Sequence, residues 1–184
     1  MNLIHFITGN KNKFREISSI LAPIKIKQLD VNLDEIQSLD PKRIIEHKLN
    51  EAFKHHKGPF IIEDTSTTIE AFGKRLPGPF IKFFLENLGT TNIAKIAIKM
   101  KKQNAVGSVV IAYAKNPKNV KFFFGKIIGK IVMPKGNYGF GYDEIFQPRG
   151  SKLTLGQTKV NNNFSKSARG IATLNLRKYL LKHL

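Results

Sequence analysis

Cysteine is absent from the 184-residue sequence, and its absence removes several classes of chemistry at once. Disulfide bonds, zinc–thiolate sites and a cysteine nucleophile are all excluded. No apolar run approaches the roughly 18 residues that a membrane-spanning helix requires. Residues 1–6 lack the basic region and the cleavage site of a signal peptide. The five histidines show neither metal-binding spacing nor a nucleophile to pair with. We therefore expect a cytoplasmic protein with no membrane segment.

Acidic residues are also scarce, since there are 13 of them against 31 lysines and arginines, a formal net charge of +18. A surface with this balance attracts polyanions. Two explanations remain open. Many lysines are solvated surface residues in a chain rich in lysine, isoleucine and asparagine, or the protein prefers a nucleotide or a nucleic acid as its ligand. Charge alone does not separate them.

The hydrophobic pattern alternates between strands and helices, and the length fits a single domain, residues 1–184. We expect an α/β fold in which a mixed sheet, covered by helices on its faces, bends around a cleft. The predicted strands are residues 3–7, 24–29, 59–62, 105–114 and 121–132, and the predicted helices are residues 11–21, a helix that starts at Asp40-Pro41, and residues 80–88, 92–102 and 165–184.

The first candidate site is the turn between the first strand and the first helix. Thr8, Gly9 and Asn10 precede the helix, and Lys13 lies in its first turn. A helix N-terminus offers unpaired N–H groups and a partial positive charge, so phosphate binds there readily. The longer glycine loop of a Walker A motif is not present. An ordinary strand–turn–helix with Asn10 as the capping residue explains the same spacing.

Acidic residues form the second candidate site. Glu63 and Asp64 follow the short apolar strand, and we expect them at its carboxyl end, where ligands bind in open α/β sheets. Glu35 lies in the loop before the Asp40 helix. Mg²⁺ binds through a few carboxylates together with phosphate oxygens and water. The alternative is that these are loop acids or helix caps.

Two further segments have the composition of a base pocket. Phe140 and Tyr142 alternate with Gly141 beside Asp143, so aromatic rings could form a flat slot for a purine. Arg169, at the start of the last helix, could donate a hydrogen bond to a purine carbonyl. Core aromatics in a turn and a solvated arginine are the alternative readings.

Taken together and in this order, these segments resemble the inosine triphosphate pyrophosphatase family. The resemblance extends over nearly the whole chain. The matching segments are Thr8-x-Asn10-x-x-Lys13-x-x-Glu16, Ile62-Glu63-Asp64-Thr65, Leu76-Pro77-Gly78-Pro79-Phe80-Ile81-Lys82 and Phe140-Gly141-Tyr142-Asp143-Glu144-Ile145-Phe146.

The resemblance implies an elongated two-lobed fold, usually a homodimer, that hydrolyses non-standard purine nucleoside triphosphates (ITP, dITP and XTP) to monophosphate and pyrophosphate with Mg²⁺. It implies that Asp64 and Lys13 are catalytic and that Glu35 and Asp64 hold the metal. The substrate-binding residues implied are Thr8, Gly9, Asn10, Lys13, Lys48, Asp64, Thr65, Phe140, Gly141, Tyr142, Asp143, Ser167 and Arg169.

The chain departs from the family pattern mainly at the base end of this site. The family's Ser-His-Arg triplet is Ser167-Ala168-Arg169, and the family's preceding lysine is Asn163, for which Lys159 or Lys166 could substitute. An acidic residue is lost at Gly156-Gln157-Thr158, and Asp64-Thr65-Ser66-Thr67 departs from the usual acidic segment. Two alternatives stay open: a weakened homologue that only binds nucleotide or nucleic acid, and a Maf-type nucleotide pyrophosphatase with another base preference.

Overall fold

The computed structural model describes residues 3–158 and 166–183. Seven strands and four helices make up its regular structure, as the α/β prediction requires. The strands are β1 (Ile4–Ile7), β2 (Ile26–Leu29), β3 (Phe60–Ile69), β4 (Pro77–Gly78), β5 (Asn104–Asn116), β6 (Asn119–Ile131) and β7 (Phe146–Pro148). The helices are α1 (Lys11–Leu21), α2 (Pro41–His55), α3 (Ile81–Lys99) and α4 (Ala168–His183).

The strands form one mixed sheet in the order β2-β1-β3-β5-β6-β7, with β4 paired to β3. Strand β1 runs parallel to β2 and to the first residues of β3, whereas β3, β5, β6 and β7 are antiparallel. A turn between Asn116 and Asn119, which lie opposite each other, joins β5 to β6. The mixed sheet predicted from the sequence is therefore confirmed.

Strand β3 is longer than predicted. It extends to Ile69, so Glu63 and Asp64 lie inside the strand and not at its end. The β-branched residues Thr65, Thr67 and Thr68 favour extended backbone, and the whole length pairs in register with β5. The two acids nevertheless lie just beyond the stretch of β3 that pairs with β1, so they stand at the carboxyl end of the parallel part of the sheet.

Helix boundaries follow local signals closely. The Asp40 side chain accepts a hydrogen bond from the backbone N–H of Lys42 at 2.9 Å, which confirms Asp40 as the N-cap of α2. Helix α3 covers both of the helices predicted at residues 80–88 and 92–102, and the chain breaks between them at Gly89, whose φ is 72° and ψ is 158°.

Three apolar clusters lie along the sheet. One holds α1 and α4 against one face, and it contains one side of α4: Ala168, Ala172, Leu176 and Leu180. A second packs α2 on β3 and β5. A third joins the second half of α3 to Ile69, Ile131, Ile145 and Phe146. None of the described helices has the length and apolarity to cross a membrane.

Candidate active site

A cavity of about 1020 Å³ opens where the segments singled out in the sequence meet. The end of β1, the start of α1, the middle of β3, one side of α2, the first half of α3, the loop before Asp143 and the start of α4 all contribute to its walls. Every sequence-predicted site residue lies in the lining: Thr8, Gly9, Asn10, Lys13, Glu35, Lys48, Asp64, Thr65, Phe140, Gly141, Tyr142, Asp143, Ser167 and Arg169.

The loop at the start of α1 is built by its own side chains. Asn10 is the N-cap, and its side-chain oxygen accepts hydrogen bonds from the N–H groups of Asn12 at 3.0 Å and Lys13 at 3.1 Å. The Thr8 hydroxyl accepts from the N–H of Asn10 at 3.1 Å. Two of the helix N–H groups are therefore capped, so the capping explanation is correct for Asn10. The same loop still lines the cavity and presents Lys13 to it.

Four charged side chains in the cavity lining form one ion-pair network: Lys13, Glu16, Glu63 and Arg169. Lys13 Nζ lies 3.2 Å from Glu63 Oε2. The Arg169 guanidinium contacts Glu16 Oε2 at 2.7 Å and Glu63 Oε1 at 3.4 Å. Burial alone would raise the pKa of Glu63, but the charges of Arg169 and Lys13 outweigh it and lower that pKa to about 2. Glu63 is therefore an anion that fixes two cations.

Arg169 is more buried than expected. Besides the two carboxylates, its Nη2 donates to the Thr65 hydroxyl at 3.0 Å, and the guanidinium carbon lies 5.1 Å from the centre of the Phe140 ring. Only Nε lacks a hydrogen-bond partner among the described residues, and it too is buried. The observed contacts place Arg169 between the acidic strand and the aromatic segment, where it supports Phe140.

Asp64 occupies a different electrostatic position from its neighbour Glu63. Burial is the largest influence on it and raises the pKa of its carboxyl to about 7, against the lowering effect of Lys13. Its Oδ2 is buried and has no hydrogen-bond partner within residues 3–158 and 166–183. Glu35 lies near enough to raise the same pKa and forms an ion pair with Lys48, Nζ to Oε1 at 2.8 Å.

These residues fit a magnesium ion that is bound partly by substrate. In the part of the chain that the structure describes, no three histidine, cysteine or acidic residues are grouped to hold a metal by themselves. Mg²⁺ needs only one or two carboxylates when phosphate oxygens and water complete its shell. The unpartnered Oδ2 of Asp64, with Glu35 nearby, is the kind of donor set that such a cation satisfies.

Hydrogen bonds between residues close in sequence hold the aromatic segment and the start of α4 in place. Asp143 Oδ2 accepts a hydrogen bond from the N–H of Phe140 at 2.9 Å, which closes the loop around Gly141. Burial raises the pKa of Asp143 to about 6 and that of Tyr142 to about 12. The Ser167 hydroxyl accepts from the N–H of Gly170 at 3.0 Å and so supports the first turn of α4.

Glu16 was not singled out from the residues alone, although it belongs to a matching segment, and Glu63 was expected only as one of the acids at the strand end. The sequence offered one sign that Glu16 is buried. Glu16 lies on the first predicted helix, three residues after Lys13 and next to apolar Ile17. Lys166 is exposed, and Lys159 and Asn163 lie outside the described residues.

Solved structures establish the class to which this fold belongs. A HAM1 protein from Coxiella burnetii has a TM-score of 0.86 at 23% identity, covering 99% of this chain and 100% of that chain. The Ham1 protein of Staphylococcus aureus has a TM-score of 0.75 at 21% identity, covering 98% and 100%. The molecule is therefore a Ham1-like α/β protein with its candidate site in the cleft.

The sequence makes the assignment specific: residues 4–179 match the model of the Ham1 family, and the chain belongs to that family. The inosine triphosphate pyrophosphatase of Schizosaccharomyces pombe is 35% identical over 179 residues, which cover 96% of this chain and 94% of that protein. The protein of the same name from Candida albicans strain SC5314 is 35% identical over 204 residues, covering 98% and 99%. The family resemblance stated from the motifs is confirmed.

Proposed function

We propose that this protein hydrolyses non-standard purine nucleoside triphosphates, such as ITP, dITP and XTP, to a nucleoside monophosphate and pyrophosphate. The observation that carries the proposal is the composition of the cavity lining. It combines cationic Lys13 and Lys48, a helix N-terminus and the Asp64 carboxyl with the aromatic and glycine residues of the Phe140 to Asp143 segment. A triphosphate requires the first group and a purine the second, and relatives named for inosine triphosphate align with nearly the full length of the chain.

The cations at the phosphate end are suited to binding the leaving pyrophosphate. Lys13 is held in place by Glu63 at 3.2 Å and Lys48 by Glu35 at 2.8 Å, so each ammonium is positioned before substrate arrives. Catalysis of phosphate transfer is mostly positioning and charge stabilisation. We propose that Lys13 and Lys48 stabilise the negative charge that develops on pyrophosphate.

Asp64 is the proposed general base. A water molecule attacks the α-phosphorus, the new P–O bond forms as the bond to pyrophosphate breaks, and the Asp64 carboxylate takes the proton. The pKa of about 7 that burial gives Asp64 is close to the value at which a general base works best near neutral pH. The side chain is almost fully enclosed, with 8% of its residue surface exposed, which limits competition from bulk water.

Magnesium is the proposed cofactor, with Glu35 and Asp64 as the residues that would hold it. When bound, the ion neutralises phosphate charge and makes the phosphorus more susceptible to attack. Base preference is proposed to favour a keto group at the purine 6-position, since that oxygen accepts a hydrogen bond where the adenine amino group donates one.

The experiment that tests this function is pyrophosphate release from ITP, XTP, GTP and ATP, with and without Mg²⁺. We expect release from ITP that depends on Mg²⁺, and loss of that release in Asp64→Asn without loss of folding. Asp34→Asn is the matched control, because Asp34 is an exposed loop acid outside the cavity lining. If the unmodified protein releases pyrophosphate from none of the four nucleotides, the proposed activity is wrong.

We also propose that the protein is a cytoplasmic homodimer. The absence of cysteine suits a reducing compartment. Phe124 is 58% exposed and Ile128 is 43% exposed on the same face of β6, so part of the sheet presents large apolar side chains that a second copy could cover.

A further inference from the structure

Gly107 occupies an unusual position for a glycine, in the middle of a long strand. It lies on β5 with Thr67 of β3 on one side and Ile127 of β6 on the other. Glycine in a strand interior weakens the strand and often marks a place where another group approaches the backbone closely. The backbone here is paired on both sides, so the reason for the glycine lies above the plane of the sheet.

The group that approaches is the hydroxyl of Tyr142. A Cβ atom at Gly107 would lie 2.8 Å from that hydroxyl oxygen and 3.2 Å from Cγ1 of Ile127. The first distance is shorter than Cβ atoms tolerate, so one of the partners would have to move. Gly107 is not in the cavity lining, but Tyr142 and Ile127 both are. Gly107 therefore lies directly behind one wall of the cavity.

A side chain at position 107 would move this wall inward. Strand β5 cannot retreat, because β3 and β6 are paired to it on both edges. The Tyr142 ring is 9% exposed and packs on Phe146, with 5.7 Å between ring centres. The cavity is the adjacent space into which Tyr142 or Ile127 can shift.

We propose that Gly107 is a positioning residue that sets the depth of the purine slot, by letting the Tyr142 hydroxyl lie against β5. This rests on the proposed function, which assigns the Phe140 to Asp143 end of the cavity to the base. The substrate contact is made by Tyr142 and Ile127, and Gly107 acts only through them. A shallower slot holds the base less well in both the ground state and the transition state, so the effect falls on KM.

The test compares Gly107→Ala with the double variant Gly107→Ala, Tyr142→Phe. In the otherwise unmodified protein we expect alanine at this position to raise KM for ITP roughly tenfold or more, the range for a misfitted pocket, while kcat changes less than about threefold. In the Y142F background the hydroxyl is gone. Within residues 3–158 and 166–183, and apart from the residues adjacent to Gly107 in sequence, no atom other than that oxygen and Cγ1 of Ile127 lies within 3.5 Å of the added Cβ. There we expect KM to stay within about threefold of that of Y142F alone.

A matched control separates slot depth from general destabilisation. Gly58→Ala also places a Cβ against its neighbours, 2.9 Å from Cε1 of Phe53 and 3.2 Å from the carbonyl oxygen of Lys115, but neither Phe53 nor Lys115 lines the cavity. We expect this variant to lower the melting temperature and to leave KM unchanged. If G107A alone does not fold, the double variant is compared with Y142F. A KM for ITP that differs by more than about threefold between these two proteins contradicts the proposal.

Calorimetric binding of ITP is measured on the same proteins, so that the two proposals fail differently. A chain that binds ITP without hydrolysing it contradicts the proposed activity and still reports slot depth through the binding constant. A G107A protein that folds and keeps the KM and the affinity of the unmodified chain overturns the role of Gly107, while the proposed activity stands.

Discussion

At the scale of single residues, the central feature is the largely buried ion-pair network of Glu16, Glu63, Lys13 and Arg169. Two carboxylates and two cations lie together in the cavity lining, with contacts of 2.7 Å, 3.2 Å and 3.4 Å. Taking such charges out of water is costly, and the group is stable only while every member has a partner. Its role is therefore to fix Lys13 and to hold Arg169 under Phe140, more than to add stability.

Glu63→Gln tests this arrangement through the free energy of unfolding. Removing the charge leaves Arg169 and Lys13 short of a buried partner, so we expect a loss of about 3 kcal/mol at pH 7. The pKa of Glu63 in the folded protein, about 2, lies below the 4.5 that is ordinary for a glutamate. The stability from its ionised form is therefore complete above pH 4.5 and is lost as pH falls toward 2.

Urea unfolding of E63Q and of the unmodified protein at several pH values measures that difference. The gap between the two should be widest at pH 5 and above and should shrink between pH 4.5 and 2. Glu86→Gln is the control, because Glu86 is exposed and its pair with Lys82 is 3.7 Å long. We expect it to change stability by less than about 0.5 kcal/mol. If the difference in free energy of unfolding between E63Q and the unmodified protein stays constant across this pH range, the pKa of Glu63 is not lowered in the folded protein.

The sequence predicted which residues line the cavity better than it predicted their contacts. Thr8 to Lys13, Asp64 and Phe140 to Asp143 follow from turn chemistry, scarce acids and aromatic–glycine spacing, and all line one cavity. The contact between Arg169 and Glu16 joins residues 153 positions apart. No local pattern encodes such a pairing, so Arg169 was interpreted as a base contact when its guanidinium is bound to carboxylates.

At the scale of elements, local signals set where helices begin, and pairing sets where strands end. Asp40-Pro41 predicted the start of α2 because capping is a property of adjacent residues. Strand β3 was predicted too short because polar Glu63 and Asp64 look like a strand end. Its actual length depends on β5, which supplies hydrogen bonds as far as Ile69, and a neighbouring strand is invisible in a local window.

The break in α3 gives a prediction at this scale. Thr90 follows Gly89 directly and donates a hydrogen bond to Glu144 Oε1 at 2.5 Å, next to Asp143 in the aromatic segment. We expect Thr90→Val to cost about 1 kcal/mol of stability, the worth of a hydrogen bond to a partly buried carboxylate. Because the same bond anchors the aromatic segment to α3, KM for ITP should rise more than kcat falls.

Thr91→Val is the control for this bond, since Thr91 is the adjacent threonine and is exposed. Chemical unfolding and pyrophosphate-release kinetics are measured on both variants. We expect T91V to remain within about 0.5 kcal/mol of the unmodified protein. Equal losses of stability in T90V and T91V would mean that the substitution harms helix α3 and that the contact with Glu144 contributes nothing.

At the scale of the whole molecule, the three apolar clusters are joined through the long strands. Strand β3 supplies Ile61 to the cluster under α1 and α4, Phe60 and Ile62 to the cluster under α2, and Ile69 to the cluster under α3. Ile127 packs against two of the three clusters. Because the clusters are joined by continuous strands, we propose that residues 1–184 unfold as one cooperative domain.

Ile69→Ala tests this cooperativity, since Ile69 is fully buried in the cluster under α3. Such a truncation costs about 2–5 kcal/mol. If the domain unfolds as one cooperative unit, the substitution lowers the unfolding midpoint measured by far-UV circular dichroism, which reports all helices. The midpoint measured by the near-UV signal of tyrosine falls with it. Ile98→Ala, at a position that is 38% exposed, should shift both far less. A first transition that moves in I69A while a second stays in place would instead show two units that unfold independently.

Repeating the thermal unfolding at increasing protein concentration tests the proposed homodimer. Association of native chains raises the unfolding midpoint as the concentration rises.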